Sequence, residues 1–194
     1  MPMTVDVVEF HRSTIAPVVS WIERLSQREH AEGWINLGPA LDDDEFAALP
    51  PRRGLGSWFS ARGPVVPMAT WTPAVAGSRP RQAQIGLAHG TGPDALERLA
   101  AAGVELPSEW RKVQDHAKHG VVASLSTDPS PSAVVEWLLA ALTVLSPIVP
   151  ADDVWIAEVY HSAGGLIRRT RSRPIRWLIG PSSPPRATWP ERAG

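Results

Sequence analysis

The chain has 194 residues, 43 % of them hydrophobic and 20 % charged, and its 19 Lys and Arg against 20 Asp and Glu leave a formal charge of −1. This is the composition of an ordinary globular protein long enough to bury one substantial core or two small ones. With no cysteine it excludes a disulfide scaffold, a zinc–thiolate site and a cysteine nucleophile.

In chain order, Thr4 to Phe10 reads as a strand, and Ser13 is placed to cap a helix whose stripe is Ile15, Val18, Val19, Ile22 and Leu25. Gly33 to Leu37 reads as a second strand, and Asp42 begins a short helix through Leu49. Trp58 to Ala61 and Val65 to Trp71 suggest a hairpin turning at Arg62 and Gly63, with Pro64 and Pro67 pushing its second strand to a sheet edge. Ala74 to Arg81 is rich in Gly, Ser and Pro and marks a boundary near residue 80.

The next segment is more regular. Ala83, Ile85 and Leu87 alternate with Gln82, Gln84 and Gly86 in a half-buried strand. Thr91 is expected to cap a helix with Pro93 and Asp94 in its first turn, a stripe of Leu96, Leu99 and Ala100, and Gly103 at its end. Trp110 to Asp115 and Gly120 to Leu125 form a hairpin around His116 to His119. Ser130 and Pro131 open a second helix that buries Val134, Val135, Leu138, Leu139, Leu142 and Leu145 and stops at Pro147, and a last strand runs from Val154 to Tyr160.

This order predicts an α+β protein. Residues 81–162 have the β-α-β-β-α-β order of a ferredoxin-like antiparallel sheet, strand order 4-1-3-2, with helices on one face; residues 1–80 form a smaller α+β unit packed on it. Charge is segregated along the chain: 8 basic and 9 acidic residues in 1–81, 4 and 10 in 82–162, and 7 and 1 in 163–194. The basic tail, with Arg168, Arg169, Arg171, Arg173 and Arg176 ahead of Trp177, Leu178 and Ile179, is expected to pack back on the acidic body as an extra strand or arm, and is also the candidate partner-binding segment. Asp6 and Glu9 stand where a secretory signal needs basic and apolar residues, and the longest apolar stretch, Ala133 to Leu145, contains Glu136 and is shorter than the roughly 20 residues of a membrane span. The expected setting is cytoplasmic, without membrane contact.

The expected topology brings the end of the strand at 82–88 and the 116–119 turn to one edge. His89, His116 and His119 are therefore candidate ligands for one divalent metal, with Asp115 as a further ligand or catalytic base. Gly90, Thr91 and Gly92 lie at a strand-to-helix junction, a place where backbone N–H groups hold phosphate. The His89-Gly90-Thr91 triplet resembles one half of the paired His-x-Thr signature of two-histidine phosphoesterases; the second half would fall on His161-Ser162-Ala163 or His119-Gly120-Val121, both of which depart from it. No nucleophilic-serine elbow occurs. The nine tryptophans are read as core for Trp21, Trp137 and Trp155, while Trp34, Trp58, Trp71 and Trp110 lie near strand ends.

With no complete catalytic set, the expected function is a non-catalytic binding or protein-interaction module whose partner is a protein, including a second copy of the chain. A metal-dependent hydrolase or phosphoesterase using His89, His116 and His119 is the first alternative, and a nucleic-acid binder acting through the arginine-rich tail is the second.

Overall fold

The computed structural model of the chain describes residues 3–27, 33–49, 63–76, 80–126, 129–150 and 152–162. The expected strand at Trp58 to Ala61 and the tail with Arg168, Arg169, Arg171, Arg173, Arg176 and Trp177 lie outside these residues. The fold is α+β: seven strands in one antiparallel sheet, ordered β1-β7-β2-β3-β4-β6-β5, with four helices. The strands are β1 (Met3–His11), β2 (Gly33–Pro39), β3 (Met68–Thr72), β4 (Gln84–Ala88), β5 (Arg111–His116), β6 (Gly120–Ser124) and β7 (Val154–Ser162); the helices are α1 (Ala16–Ser26), α2 (Asp43–Ala47), α3 (Ala95–Ala101) and α4 (Pro131–Leu145).

Alternation decides which side of each strand is buried. On β7, Trp155, Ala157, Val159 and His161 face the helices, and across β1 they meet Phe10, Val8, Asp6 and Thr4. Helix α4 packs against both α1 and α3 and lies over β2 and β3, so these three helices share one face of the sheet. It is buried nearly all round, through Val134, Val135, Trp137, Leu138, Leu139, Ala141, Leu142 and Leu145, as a helix walled by a sheet and two neighbours must be. Each such side chain contributes about 1.5–3 kcal/mol by leaving water. The α1 stripe of Val18, Ile22 and Leu25 covers the β1 end of the same layer.

Two split β-α-β units frame the sheet. In the first, α1 links the parallel strands β1 and β2 and β7 fills the gap; in the second, α3 links β4 and β5 and β6 fills the gap. The second unit and its hairpin are as the sequence predicts. The position of β7 is not. The expected 4-1-3-2 order requires β7 beside β4, but that edge of β4 is taken by β3, paired from Met68 opposite Ala88 to Thr72 opposite Gln84. β7 instead inserts between β1 and β2 and pairs antiparallel with both. A separate four-stranded ferredoxin-like sheet is therefore not formed, and the sheet runs unbroken past residue 80. β3 is likewise an interior strand rather than an edge, because Pro64 and Pro67 both precede its first residue.

Several caps differ as well. Helix α1 starts at Ala16 with Ile15 as N-cap, and Ser13 makes no cap. Helix α3 starts at Ala95 with Asp94 at φ 61° as N-cap, so Thr91 is free for another partner. Asp42 does cap α2, in a reciprocal box with Glu45. Among the described residues no helix is long and apolar enough to cross a membrane.

Gly120 shows how tightly the second unit is closed. It ends the 116–119 turn at φ +75°, and a Cβ there would overlap the backbone carbonyl of Leu87 on β4. Gly120→Ala should lower stability by about 1–3 kcal/mol from backbone strain alone, with steric overlap added. Gly38→Ala, at a position where a Cβ meets nothing within 4 Å, is the control. Urea unfolding of the two variants checks this; equal losses would show that the contact between β4 and the turn carries no special constraint.

Candidate functional site

The structure assembles two polar constellations at opposite ends of the side of the sheet on which α1, α3 and α4 pack; the other, open, side is exposed at Met3, Val5 and Val7 and buried at Asn36, Ser124 and Ile156. At the end of β4, Ala88 pairs with Met68 on the open side, so His89, one residue on, enters the covered layer, where it is fully buried. Its Nδ1 shares a 3.0 Å hydrogen bond with the Thr91 hydroxyl. Asp115 on β5 stands opposite the buried Val121, and its Oδ2 accepts the Leu96 backbone N–H of α3 at 3.1 Å. The remaining polar atoms of the two side chains, His89 Nε2 and Asp115 Oδ1, are buried without a hydrogen-bond partner. Burial lowers the His89 pKa below 6.5; the Asp115 carboxylate acts against this and Arg98 with it. A neutral imidazole that shares a covered layer with a carboxylate has the chemistry of an oriented base. The hollow of about 550 Å³ bordered by Gln82, Glu109, Arg111, Ser124, Leu125 and Ser126 contains neither residue.

His116 and His119 do not join His89. Asp115 faces the covered side, so His116, its neighbour on the same strand, faces the open one. Its Nδ1 accepts the backbone N–H groups of Lys118 at 3.1 Å and His119 at 3.3 Å, and its ring lies 4.8 Å from that of His119. The pair orders an exposed turn, and among the described residues no three His, Cys, Asp or Glu side chains gather to hold a metal ion. The glycines of the 90–92 loop serve the backbone: a Cβ at Gly90 would crowd the Pro64 carbonyl, and Gly92 has φ +91°.

The second constellation escapes sequence reasoning. His161, 4 % exposed at the end of β7, holds Asp6 Oδ2 at 2.8 Å through Nε2 and packs 5.2 Å from the Trp21 ring, over which Arg24 lies. The two partners are 155 residues apart, and only the pairing of β7 with β1 brings them together. β4 and β7 are separated by two antiparallel neighbours and run in opposite directions, so His89 and His161 sit at opposite ends of the sheet. The half of a His-x-Thr pair that would fall on His161 therefore does not meet His89.

The open face is continuous. One row crosses all seven strands through Val7, Glu158, Asn36, Thr70, Gly86, Val122 and Gln114, with Thr70 Oγ1 donating to Asn36 Oδ1 at 2.9 Å. Beside it Val5, Tyr160 and Trp34 stand in register, and the Trp34 and Tyr160 rings stack at 4.5 Å and 8°. The Tyr160 hydroxyl donates to Glu158 Oε2 at 3.0 Å, and burial together with that carboxylate pushes its pKa up to about 12, so it stays a donor. Met3, Val5 and Val7 are 44 %, 44 % and 40 % exposed. Among the described residues Trp71, Trp110, Trp137 and Trp155 are buried, and Trp34 is a half-buried indole on this face. Comparison with known proteins finds no family model, curated protein or solved structure that matches the chain.

The buried His89 makes stability depend on pH with a definite sign. Its folded pKa lies below 6.5, so on acidification the unfolded chain takes up this proton first; its contribution is complete above about pH 6.5 and is lost as pH falls toward the folded value. The thermal midpoint of the wild type should fall more steeply between about pH 7 and pH 5 than that of His89→Gln. Parallel curves would show that this imidazole is not held neutral.

Proposed function

We propose that the protein is a non-catalytic binding module that takes up another polypeptide on the uncovered face of its sheet. The observation that carries this reading is the asymmetry of the sheet: α1, α4 and α3 cover one side, while the other presents the stacked Trp34 and Tyr160 beside exposed Met3, Val5 and Val7. Aromatic anchors flanked by apolar and hydrogen-bonding side chains are what a protein interface uses for most of its affinity. Among the described residues of this end the open face carries the carboxylates Glu9 and Glu158, which repel phosphate backbones and favour a partner segment carrying apolar and basic side chains. His89 and Asp115 then act as a buried polar element of the scaffold.

A peptide-display selection on the folded chain, repeated with Trp34→Ala and with Thr70→Lys, tests this. Peptides selected by the wild type should be apolar and basic and should bind Trp34→Ala about 30-fold more weakly, the loss of an anchor worth about 2 kcal/mol, while circular dichroism confirms that the variants are folded. Ligands indifferent to both substitutions would move the binding surface elsewhere, and affinity for mixed-sequence RNA or DNA that falls steeply with salt would favour the nucleic-acid reading.

A further inference from the structure

The two edges of the sheet are built differently. The β5 edge carries Arg111 and Lys112 and has a bulge between Lys112 and Gln114, devices that discourage further strand pairing. The β1 edge has no bulge, and its charges are the carboxylates Asp6 and Glu9. Its nine residues are straight and paired with β7 along their whole length, and it carries neither lysine, arginine nor proline. Among the described residues nothing pairs with its outer side, and Met3, Val5 and Val7 line the open face along it.

We propose that residues 175–179 of this same chain add an eighth strand to the outer edge of β1, parallel to it. Four observations converge on this occupant. β7 ends at Ser162 opposite Met3, so a chain leaving it reaches the start of β1 and, on turning back, runs in the direction of β1. The twelve residues 163–174 have ample reach for the two strand spacings, about 10 Å, that separate β7 from the new position. The run Ile175-Arg176-Trp177-Leu178-Ile179 is bracketed by Pro174 and by Gly180-Pro181, which suit the first residue of a strand and its end.

The fourth is pattern and charge. Placing Ile175 beside Val5 sets Trp177 beside Val7 on the open face, while on the covered face Arg176 meets Asp6 and Leu178 meets Val8. The Asp6 side chain is 39 % exposed, which leaves room for a second partner besides His161. Residues 1–162 carry 12 basic and 19 acidic side chains and residues 163–194 carry 7 and 1, so the arginine-rich segment is drawn to the carboxylates of β1 and turned away from Arg111 and Lys112 on β5. The pairing flanks the exposed valines on their outer side and extends the Trp34–Tyr160 surface by one more indole, leaving the top of that face to the partner proposed above.

Hydrogen exchange of the full-length chain, read peptide by peptide, tests the proposal. Amides of 3–11 should exchange at least tenfold faster in the double variant Arg176→Pro/Trp177→Pro, because consecutive N–H groups of a strand point to opposite sides and one of the two must face β1, than in the wild type or in Thr188→Pro, while β3 and β4 stay unchanged. A second measurement uses the absence of native cysteine: Val7→Cys with Trp177→Cys should close an intramolecular disulfide under mild oxidation at least tenfold faster than Val7→Cys with Ser183→Cys. Exchange of β1 that is the same in all three proteins, or equal closure rates, would overturn the proposal. Protection of β1 that rises with protein concentration, together with disulfide-linked dimers of Val7→Cys alone, would assign the edge to a second copy of the chain instead.

Discussion

The whole sheet depends on the insertion of β7 between β1 and β2. Strands β1 and β2 run parallel at a separation that leaves no hydrogen bonds between them, and α1 spans that gap from above. β7, antiparallel to both, satisfies their inward-facing backbone groups. β7 does so over nine residues against β1 and seven against β2, and its covered side supplies Trp155, Ala157 and Val159 to the core. Without it β1 and α1 would have no sheet to pack on. The same insertion creates the Asp6–His161 contact and brings Tyr160 against Trp34, so one pairing underlies both a buried polar link and the aromatic patch.

Local structure was legible in the sequence because it rests on local causes. The α4 stripe, the hairpin around His116 to His119, the Asp42 cap and the α3 stop at Gly103 each depend on residues within a turn or two of one another. Topology was less legible because it depends on competition for edges. β4 has two sides, and whether β3 or β7 occupies one of them cannot be decided from either strand alone. The prolines at 64 and 67 misdirected the reading of β3 for a similar reason: proline forbids an interior strand only at residues that pair, and the pairing begins at Met68.

The histidine edge was legible in part. Sequence order placed His89 and the 116–119 turn at the same end of the sheet, and Asp115 does face the covered layer that His89 enters. Strand parity was the missing step. Asp115 and His116 are consecutive on β5 and face opposite sides, so only one of them could share the covered layer with His89. The Thr91 hydroxyl, expected on a helix end, orients the imidazole instead, because Asp94 starts α3 three residues later.

The placement of β7 also orders events in time. Asp6 and His161 are 155 residues apart, and the β1–β7 ladder spans most of the described chain. During synthesis the second split unit, β4 through β6, can pair as soon as it emerges, whereas β1 and β2 must wait for the last strand before either inner edge is closed. Closing so long a loop carries an entropic cost that the local pairings of the second unit do not. Until then a nascent chain displays unpaired strand edges and the apolar face of α1, and it is in this interval that a chaperone would find its binding surface.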